Sequence, residues 1–457
     1  MYKTNITMEE NRIVAAIDVG TTKIVVLIGR KNDNGGIEIL GYGRTASHGV
    51  KRGQVQNIND TIKSISEAVK QAEDMANYKI TEAYVGIAGQ HIRSQRYNQS
   101  INRNSANDAI SEADVEVLIN QMREVPTEMG EEVLHILPQS YSVDTEFGIK
   151  NPVGIAGKQL SGNFHIVFGN TAAANNLRKC VESNGIKVKG LILEPLASST
   201  SVLTDNDREL GVALVDIGGG TTDVAIYRDG TIYHTAVIPY GGDSVTGDIK
   251  QGCKIIEEDA EILKIQYGSA IAMEKMNSQS VTIPGRDGLK AKEISVSMLA
   301  NIIRARMEEI IATVMEKIEV SGTKHLLGAG IVITGGGAML QNLTQLFALR
   351  SGMEVRIGVP NKRILPKEKI TNLPSNATSI GLLTMGIEDI KIDGLGFDTE
   401  SNIKIEETKP EANNIEAEDN ATKPIVNEQK KPKLVEKFKN YWNTFTEWAT
   451  EVNDEHV

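Results

Sequence analysis

Asp18-Val19-Gly20-Thr21-Thr22-Lys23 returns later in the chain as Asp216-Ile217-Gly218-Gly219-Gly220-Thr221-Thr222-Asp223, and apolar runs flank each copy. Residues 12–17 (RIVAAI) and 24–28 (IVVLI) bracket the first; residues 212–215 (VALV) and 224–227 (VAIY) bracket the second. Runs of this kind on either side of glycine read as two strands joined by a tight turn. Glycine lets the backbone approach an anion, and turn N–H groups with threonine hydroxyls donate to phosphate oxygens. Each copy therefore predicts a phosphate loop: Gly20, Thr21, Thr22 and Lys23 in one, Gly218, Gly219, Gly220, Thr221 and Thr222 in the other. Asp18 and Asp216, at the strand ends, would hold a Mg²⁺ through waters that the ion keeps. Asp223 would repel phosphate unless metal or Thr222 intervenes, so it reads as structural or one step removed from the ion. Two such hairpins face to face would grip one polyphosphate.

A third element follows downstream. Ile331-Val332-Ile333-Thr334-Gly335-Gly336-Gly337-Ala338-Met339-Leu340 reads as a buried strand, a glycine turn and then a helix. A base or ribose would lie on the turn Gly335, Gly336, Gly337 and beside Met339. A single Asp-x-Gly-Thr is a common structural turn; two copies followed by this third element, in this order, point to a nucleotide.

The chain has 457 residues, enough for two or three domains and a large core. Its two cysteines, Cys180 and Cys253, stand in unrelated contexts and suggest a reducing compartment with neither a disulfide framework nor a metal site. Residues 1–11 lack an apolar h-region, and no stretch reaches the ~18 apolar residues that a membrane span requires. The expectation is a cytoplasmic protein without a spanning segment. A net charge of -11 argues against nucleic acid as a general partner.

Strand and helix patterns alternate from Arg12 to about Gly386, which predicts an α/β architecture. Helical spacing of Ile62, Ile65, Ala68, Val69 and Ala72 predicts a helix over Ile58–Ala76. Residues 83–88 read as a short buried strand. The stretch from there to about Asn163 has another texture: polar strands, a helix opened by Ser111, and a Gly-rich loop over residues 148–162. It reads as an inserted α+β subdomain, with the main pattern resuming at residues 164–168. A second insert spans about 244–320, with helices over Glu257–Tyr267 and from Ser297 to about Val320. From Ile387 to Gln429 charged and polar residues dominate, a composition that cannot offset ordering entropy and predicts a disordered linker.

Past the linker, residues 434, 435, 438, 441, 442, 445, 448, 449 and 452 fall on one helical stripe. Aromatics are 4% of the chain, yet Phe438, Tyr441, Phe445 and both tryptophans, Trp442 and Trp448, gather here. With Leu434 they form a face suited to a lipid headgroup boundary, and Lys430, Lys431, Lys433, Lys437 and Lys439 suit anionic lipid. The same stripe also fits a helix docked on the protein's own core or on a partner, although a long tether serves self-docking poorly. A single copy would bind membrane reversibly, and an array would hold by avidity.

These motifs together resemble the actin-like ATPase superfamily, a two-lobed core of the duplicated ribonuclease H type, and within it the FtsA family of bacterial cell division proteins. The resemblance extends to residues 193–199 (LEPLASS), 237–242 (VIPYGG), 260–264 (AEILK) and 379–383 (SIGLL). It implies ATP and Mg²⁺ as cofactors, with residues 193–199 and 377–382 as connecting hinge helices and Gly335–Gly337 as the adenosine loop. It further implies that Gly242 contacts the nucleotide and that Glu261 and Lys264 approach ribose and base. Glu194 stands where ATP-hydrolysing relatives carry a water-positioning Gln or Glu; as a bare residue it also reads as an acid at a helix N-terminus, and turnover would be slow at most. Glu261 and Lys264 alone would equally be an exposed i, i+3 ion pair.

The implied organisation is subdomain IA over 1–84 and 164–200, an interaction subdomain IC over 85–163, IIA over 201–243 and 321–386, IIB over 244–320, the linker over 387–429 and the membrane-targeting helix over 430–457. An insert after the strand at 83–88 fits FtsA better than actin or MreB. Subdomain IIB would bind the C-terminal tail of the tubulin-like protein FtsZ, with Arg306 and Glu309 at the contact, though both would also serve as solvated helix charges. Implied partners are FtsZ, further division proteins through IC, copies of the chain itself in a head-to-tail polymer, and the anionic inner face of the membrane at the division site. The N-terminal extension and long acidic linker depart from the compact family pattern. Rival readings are an actin-like pilus-assembly adaptor, which would not be expected to carry this helix, and a small-molecule kinase, which would need a catalytic base in the cleft. A chaperone of the seventy-kilodalton heat-shock type lacks its β-rich substrate domain here.

Overall fold

The computed structural model describes residues 12–103, 108–285, 290–360, 364–365 and 373–388. The linker and the terminal helix, including Leu434, Phe438, Trp442, Phe445 and Trp448, lie outside the described residues, apart from the first two positions of the linker.

Each glycine-hinged repeat opens a sheet. Val14–Val19 and Lys23–Lys31 pair antiparallel around the first turn, and Ile37–Ala46 continues the meander. Glu82–Ile87 and Lys187–Leu193 then add on the other side in parallel, and the two-residue strand Ile364–Leu365 caps the opposite edge, giving six strands. The second sheet repeats the plan with five. Val212–Ile217, Thr222–Arg228 and Thr231–Ile238 form the meander, and Ile331–Thr334 and Val355–Ile357 add in parallel. All six residues of Val14–Val19 and of Val212–Ile217 are buried, as central strands covered on both faces must be.

The helix Ile58–Ala76 starts and ends where predicted. The Asn57 side chain accepts from the Asp60 N–H, worth about 1 kcal/mol, and Asn77 stops the helix in the left-handed conformation. Ile65, Ala68, Val69 and Ala72 bury one face against the first sheet.

Between Glu82–Ile87 and Lys187–Leu193 in sequence lies a separate four-stranded sheet, ordered Arg93–Asn102, Gln159–Asn170, Glu131–Val143, Glu146–Ile149. Its helix Glu112–Arg123 is opened by a capping box of Ser111 and Asp114. Two expectations are corrected here. Residues 164–168 do not resume the main sheet; they are the middle of Gln159–Asn170, central in this inserted sheet. They resemble a core strand because both faces are covered: Phe164, Ile166 and Phe168 share a cluster with Leu118 of the helix, while His165 bonds to Thr235 of the second sheet. The loop over 148–162 is likewise strand at both ends.

Two helices join the lobes. Glu194–Val202 and Ala377–Ile387 cross where a Cβ on Gly381 would lie 1.8 Å from the Ala197 carbonyl oxygen, so only glycine permits this approach. One continuous core runs from Val25 and Leu27 through Ala197, Ile380 and Leu383 to Leu214, Ala225 and Val332. The second insert holds Gly242–Cys253, Glu257–Tyr267, a hairpin of Ser280–Ile283 with Lys292–Ser295, and the long helix Val296–Ser321. No helix among the described residues is long and apolar enough to cross a membrane.

Candidate functional site

The two hairpin turns meet face to face. A Cβ on Gly219 would fall 1.8 Å from Thr22 Oγ1, and one on Gly220 would fall 2.5 Å from Thr21 Oγ1. Thr22 Oγ1 also donates to Asp243 Oδ1 across the cleft at 3.5 Å. The glycines are thus required by backbone-to-side-chain contact between lobes.

Not every polar group of the turns is free to meet a ligand. The Thr221 hydroxyl donates to Asp223 Oδ2 at 3.1 Å, and that of Thr222, wholly buried, donates to the Tyr240 carbonyl at 2.8 Å. Lys23 Nζ donates to the Ser375 carbonyl and to Asn376 Oδ1 at 2.9 Å. It therefore ties the first hairpin to the segment entering the second hinge helix. Burial, with the nearby Arg44 charge, lowers its pKa to about 7.

Behind the turns four carboxyl groups converge. Asp18 and Asp216 are 6% and 7% exposed. Burial pushes Asp18 up to about 6 against the pull of Lys23, with Asp216 adding to the rise. Asp216 is raised by burial too, although Ser198 Oγ at 2.5 Å and Thr378 Oγ1 at 3.2 Å donate to its Oδ2. Those hydroxyls come one from each hinge helix and lie 3.0 Å apart, so Asp216 is the point where the hinge meets the cleft. Asp223, 4% exposed, is pushed up to about 8 by burial and then by Asp216. Among the described residues its Oδ1 has no hydrogen-bond partner.

Glu194 stands at the start of the first hinge helix, with Pro195 after it. Burial first, then the charges of Asp18, Asp223 and Asp216, raise its pKa well above the ordinary value. It borders a small cavity shared with Gln54, Gly86 and His91, where His91 Nδ1 lies 2.9 Å from Gln54 Nε2. The same burial and neighbouring charges hold this carboxyl toward its neutral form.

The remaining predicted residues flank the second hairpin on two sides. The Gly242 N–H donates to the Gly218 carbonyl at 2.9 Å. Lys264 Nζ donates to the Gly242 carbonyl at 3.0 Å and to Thr246 Oγ1 at 2.8 Å, and pairs with Glu261 at 2.7 Å. On the other side Gly335 has φ +83°, and a Cβ there would lie 2.3 Å from Asp216 Oδ1. The 3-10 turn Gly336–Met339 follows it. Among the described residues no group of three or more His, Cys, Asp or Glu side chains is arranged to hold a metal directly.

Arg306 and Glu309 stand apart from this cleft on Val296–Ser321. Arg306 grips both oxygens of Asp248 at 2.6 and 3.0 Å and reaches Glu309 at 2.6 Å, leaving Glu309 mostly exposed. Ser198, Thr378, Asp243, Asp248 and Asn376 are the members that the motif reading missed. Ser198 and Thr378 lie inside the hinge segments already singled out; the others carry no local signal.

Comparison with known proteins follows the same lines. Residues 213–381 match the model of the family described as cell division protein FtsA, and residues 89–168 match the SHS2 domain inserted in FtsA. The chain is 36% identical over 390 residues to the cell division protein FtsA of Pseudomonas aeruginosa, covering 85% of this chain and 93% of that one. It is 36% identical over 376 residues to that of Neisseria meningitidis serogroup B, covering 82% and 90%. Among solved structures, the PilM-PilN type IV pilus biogenesis complex contains a chain that superposes with a TM-score of 0.61 at 12% identity, covering 82% of this chain and 98% of that one. At that identity the likeness is one of fold alone.

Proposed function

The chain belongs to the FtsA family of cell division proteins, and on that premise we propose that it is an ATP-binding tether. It would link FtsZ filaments to the inner face of the cytoplasmic membrane, recruit later division proteins through its first insert, and act as a head-to-tail polymer. The observation that carries the nucleotide reading is the cluster of Asp18, Asp216, Asp223 and Glu194 behind two opposed glycine turns.

The residues fit Mg-ATP. Buried Asp18, Asp216 and Asp223 with the half-buried Glu194, all raised in pKa, and an Asp223 Oδ1 without a hydrogen-bond partner among the described residues favour a cation, and turns where Gly219 and Gly220 admit no Cβ keep bare backbone at the cleft for a polyanion. When bound, Mg-ATP would supply a polyphosphate with a divalent charge that offsets this cluster. Asp18 and Asp216 would hold the ion through water, and Gly20, Thr21, Thr22, Gly218, Gly219 and Gly220 would hold phosphate. Glu261 and Lys264 with Gly242 on one side, and Gly335, Gly336, Gly337 and Met339 on the other, would hold the nucleoside. Thr221, Thr222 and Lys23 would serve by shaping the turns, since their side chains are engaged elsewhere. Glu194 would position water if hydrolysis occurs.

Asp216 accepts from both hinge helices, so a charge change at its other oxygen acts directly on the joint between lobes. Lobe angle in turn sets head-to-tail contacts, and open contacts of that kind build filaments. Subdomain assignments follow the family plan, with the insert extended to Asn170 because its sheet includes that whole strand. Arg306 and Glu309 would offer the FtsZ tail one half-buried cation and one exposed acid. Residues 430–457 would supply the lipid contact.

Flotation on anionic vesicles with Mg-ATP tests the tether, using the full chain and a chain ending at Gln429, each with and without the FtsZ tail. The reading requires that only the full chain floats and that it carries FtsZ with it. Equal behaviour of the two chains would refute the anchor role of the terminal helix.

A further inference from the structure

The inserted sheet and the second lobe enclose a groove that the tether reading leaves without a role. Its volume is about 680 Å³, within the range of ligand clefts, roughly 300–1,000 Å³. One wall is a polar ladder across three strands of the insert. Asn98, Asn163 and Ser140 stand in register, and Asn98 Nδ2 donates to Asn163 Oδ1 at 2.8 Å while Asn163 Nδ2 donates to Ser140 Oγ at 3.1 Å. The opposite wall is the turn joining Thr222–Arg228 to Thr231–Ile238, with Tyr233 beyond it.

Three cations line this groove. Arg96 lies over the Tyr233 ring at 3.9 Å, Lys150 reaches across to Gly230, and Arg228 pairs with its neighbour Asp229 at 3.0 Å. Asp229 is the one acid among the lining residues, so the groove carries an excess of two positive charges on a chain of net charge -11. An apolar segment would find little to bury against amides and hydroxyls. An extended segment lying across the strands would find amide and hydroxyl groups of three of them, and acidic side chains would find the cations.

We propose that this groove docks an extended acidic peptide of a partner protein. A polynucleotide brings a charge on every phosphate against a local excess of two here, and the acidic chain repels it more than a short peptide, so the peptide is favoured. The proposal deepens the recruiting role proposed above for the insert. Because its walls belong to the insert and to the second lobe, an occupant would also pin one to the other. That linkage already exists: Gln139 Nε2 donates to the carbonyls of Ile232 and Tyr233 at 2.9 and 3.1 Å, and Ser94 Oγ to that of Thr235 at 3.1 Å.

The test is fluorescence anisotropy of the full chain with a short fluorescein-labelled peptide of alternating Glu and Ser, with alternating Lys and Ser as control. Saturable, salt-sensitive binding of the Glu-Ser probe alone is expected. The pair Lys150→Glu and Arg228→Glu, one exposed and one half-buried at the groove's rim, should weaken it about tenfold or more while leaving the urea unfolding midpoint near the parent's; Lys63→Glu with Lys70→Glu on the remote helix Ile58–Ala76 should not. No saturable binding, or equal binding by the Lys150/Arg228 variant, overturns the proposal. So does displacement of the probe by oligo-dT at lower concentration than by unlabelled peptide, which would make the groove a nucleic-acid site. Neutralising the chain's own acidic run with Glu406→Gln, Glu407→Gln, Glu411→Gln, Glu416→Gln and Glu418→Gln should leave probe affinity unchanged; a large gain would instead make that run the occupant. Flotation of FtsZ and binding of this probe are independent readouts, so failure of either leaves the other standing.

Discussion

Replacing Asp223 by Asn should stabilise the protein, and by an amount that grows with pH. In the folded chain the carboxyl is pushed up to about 8 from an ordinary 3.8, by burial and then by Asp216. The sign follows from proton binding. Between these two values the folded state holds the proton more tightly than the unfolded state, so stability present below about pH 4 is lost as pH rises towards 8 and stays lost above it. Four units at about 1.4 kcal/mol each cap the loss near 6 kcal/mol. Asn copies the neutral acid, keeps an acceptor for the Thr221 hydroxyl that bonds Asp223 Oδ2, and removes the charge. The variant should therefore exceed the parent by about 1–2 kcal/mol near pH 5 and by about 2–5 kcal/mol near pH 8.5. Urea unfolding of both full-length proteins at the two pH values measures the gap. A gap that stays constant with pH, or a variant less stable than the parent at pH 8.5, would refute the reasoning. With Mg-ATP present the parent should gain more than the variant, because the cation would relieve a charge that the variant lacks.

Three further outcomes are expected. Gly335→Ala, at φ +83° and with its Cβ 2.3 Å from Asp216 Oδ1, should cost about 2–4 kcal/mol in urea unfolding. Glu261→Gln with Lys264→Met removes the ion pair beneath Gly242 and should weaken binding of a fluorescent ATP analogue about tenfold while moving the unfolding midpoint little. Arg306→Ala leaves Asp248 without its bidentate partner; it should cost about 1–3 kcal/mol in stability and reduce capture of the FtsZ tail in pull-downs, whereas Glu309→Ala should affect only the capture.

The hairpins were readable because glycine interrupts apolar runs at a spacing that only a strand–turn–strand unit explains, and Ile58–Ala76 because period and caps agree on its ends. Residues 164–168 misled because a strand covered on both faces looks the same in any sheet; what covers it, Leu118 on one side and Thr235 on the other, comes from distant sequence. Ile364–Leu365 joins the first sheet from the far half of the chain through two residues, too few for a period. At the site, the glycines and both strand-end aspartates were legible from the turns. The engagement of Thr222 by Tyr240 and of Lys23 by Asn376 was not, because a hydroxyl or an ammonium declares its partner only in three dimensions.

These contacts differ in how they resist motion. At the base of the cleft the hinge helices share one apolar core with both sheets, and Gly381 sits so close to Ala197 that the crossing cannot tighten. Rotation there would open voids in a close-packed interior, which is costly. At the mouth the lobes meet through polar contacts, Thr22 with Asp243 and the opposed glycine turns, which water can replace at small net cost. The lobes should therefore open at the mouth around a fixed base. The insert is the exception: it belongs to the first half of the chain yet bonds the edge strand Thr231–Ile238 of the second sheet through Ser94, Gln139 and His165. Any opening must stretch those bonds or carry the insert along, so its orientation follows the angle of the cleft.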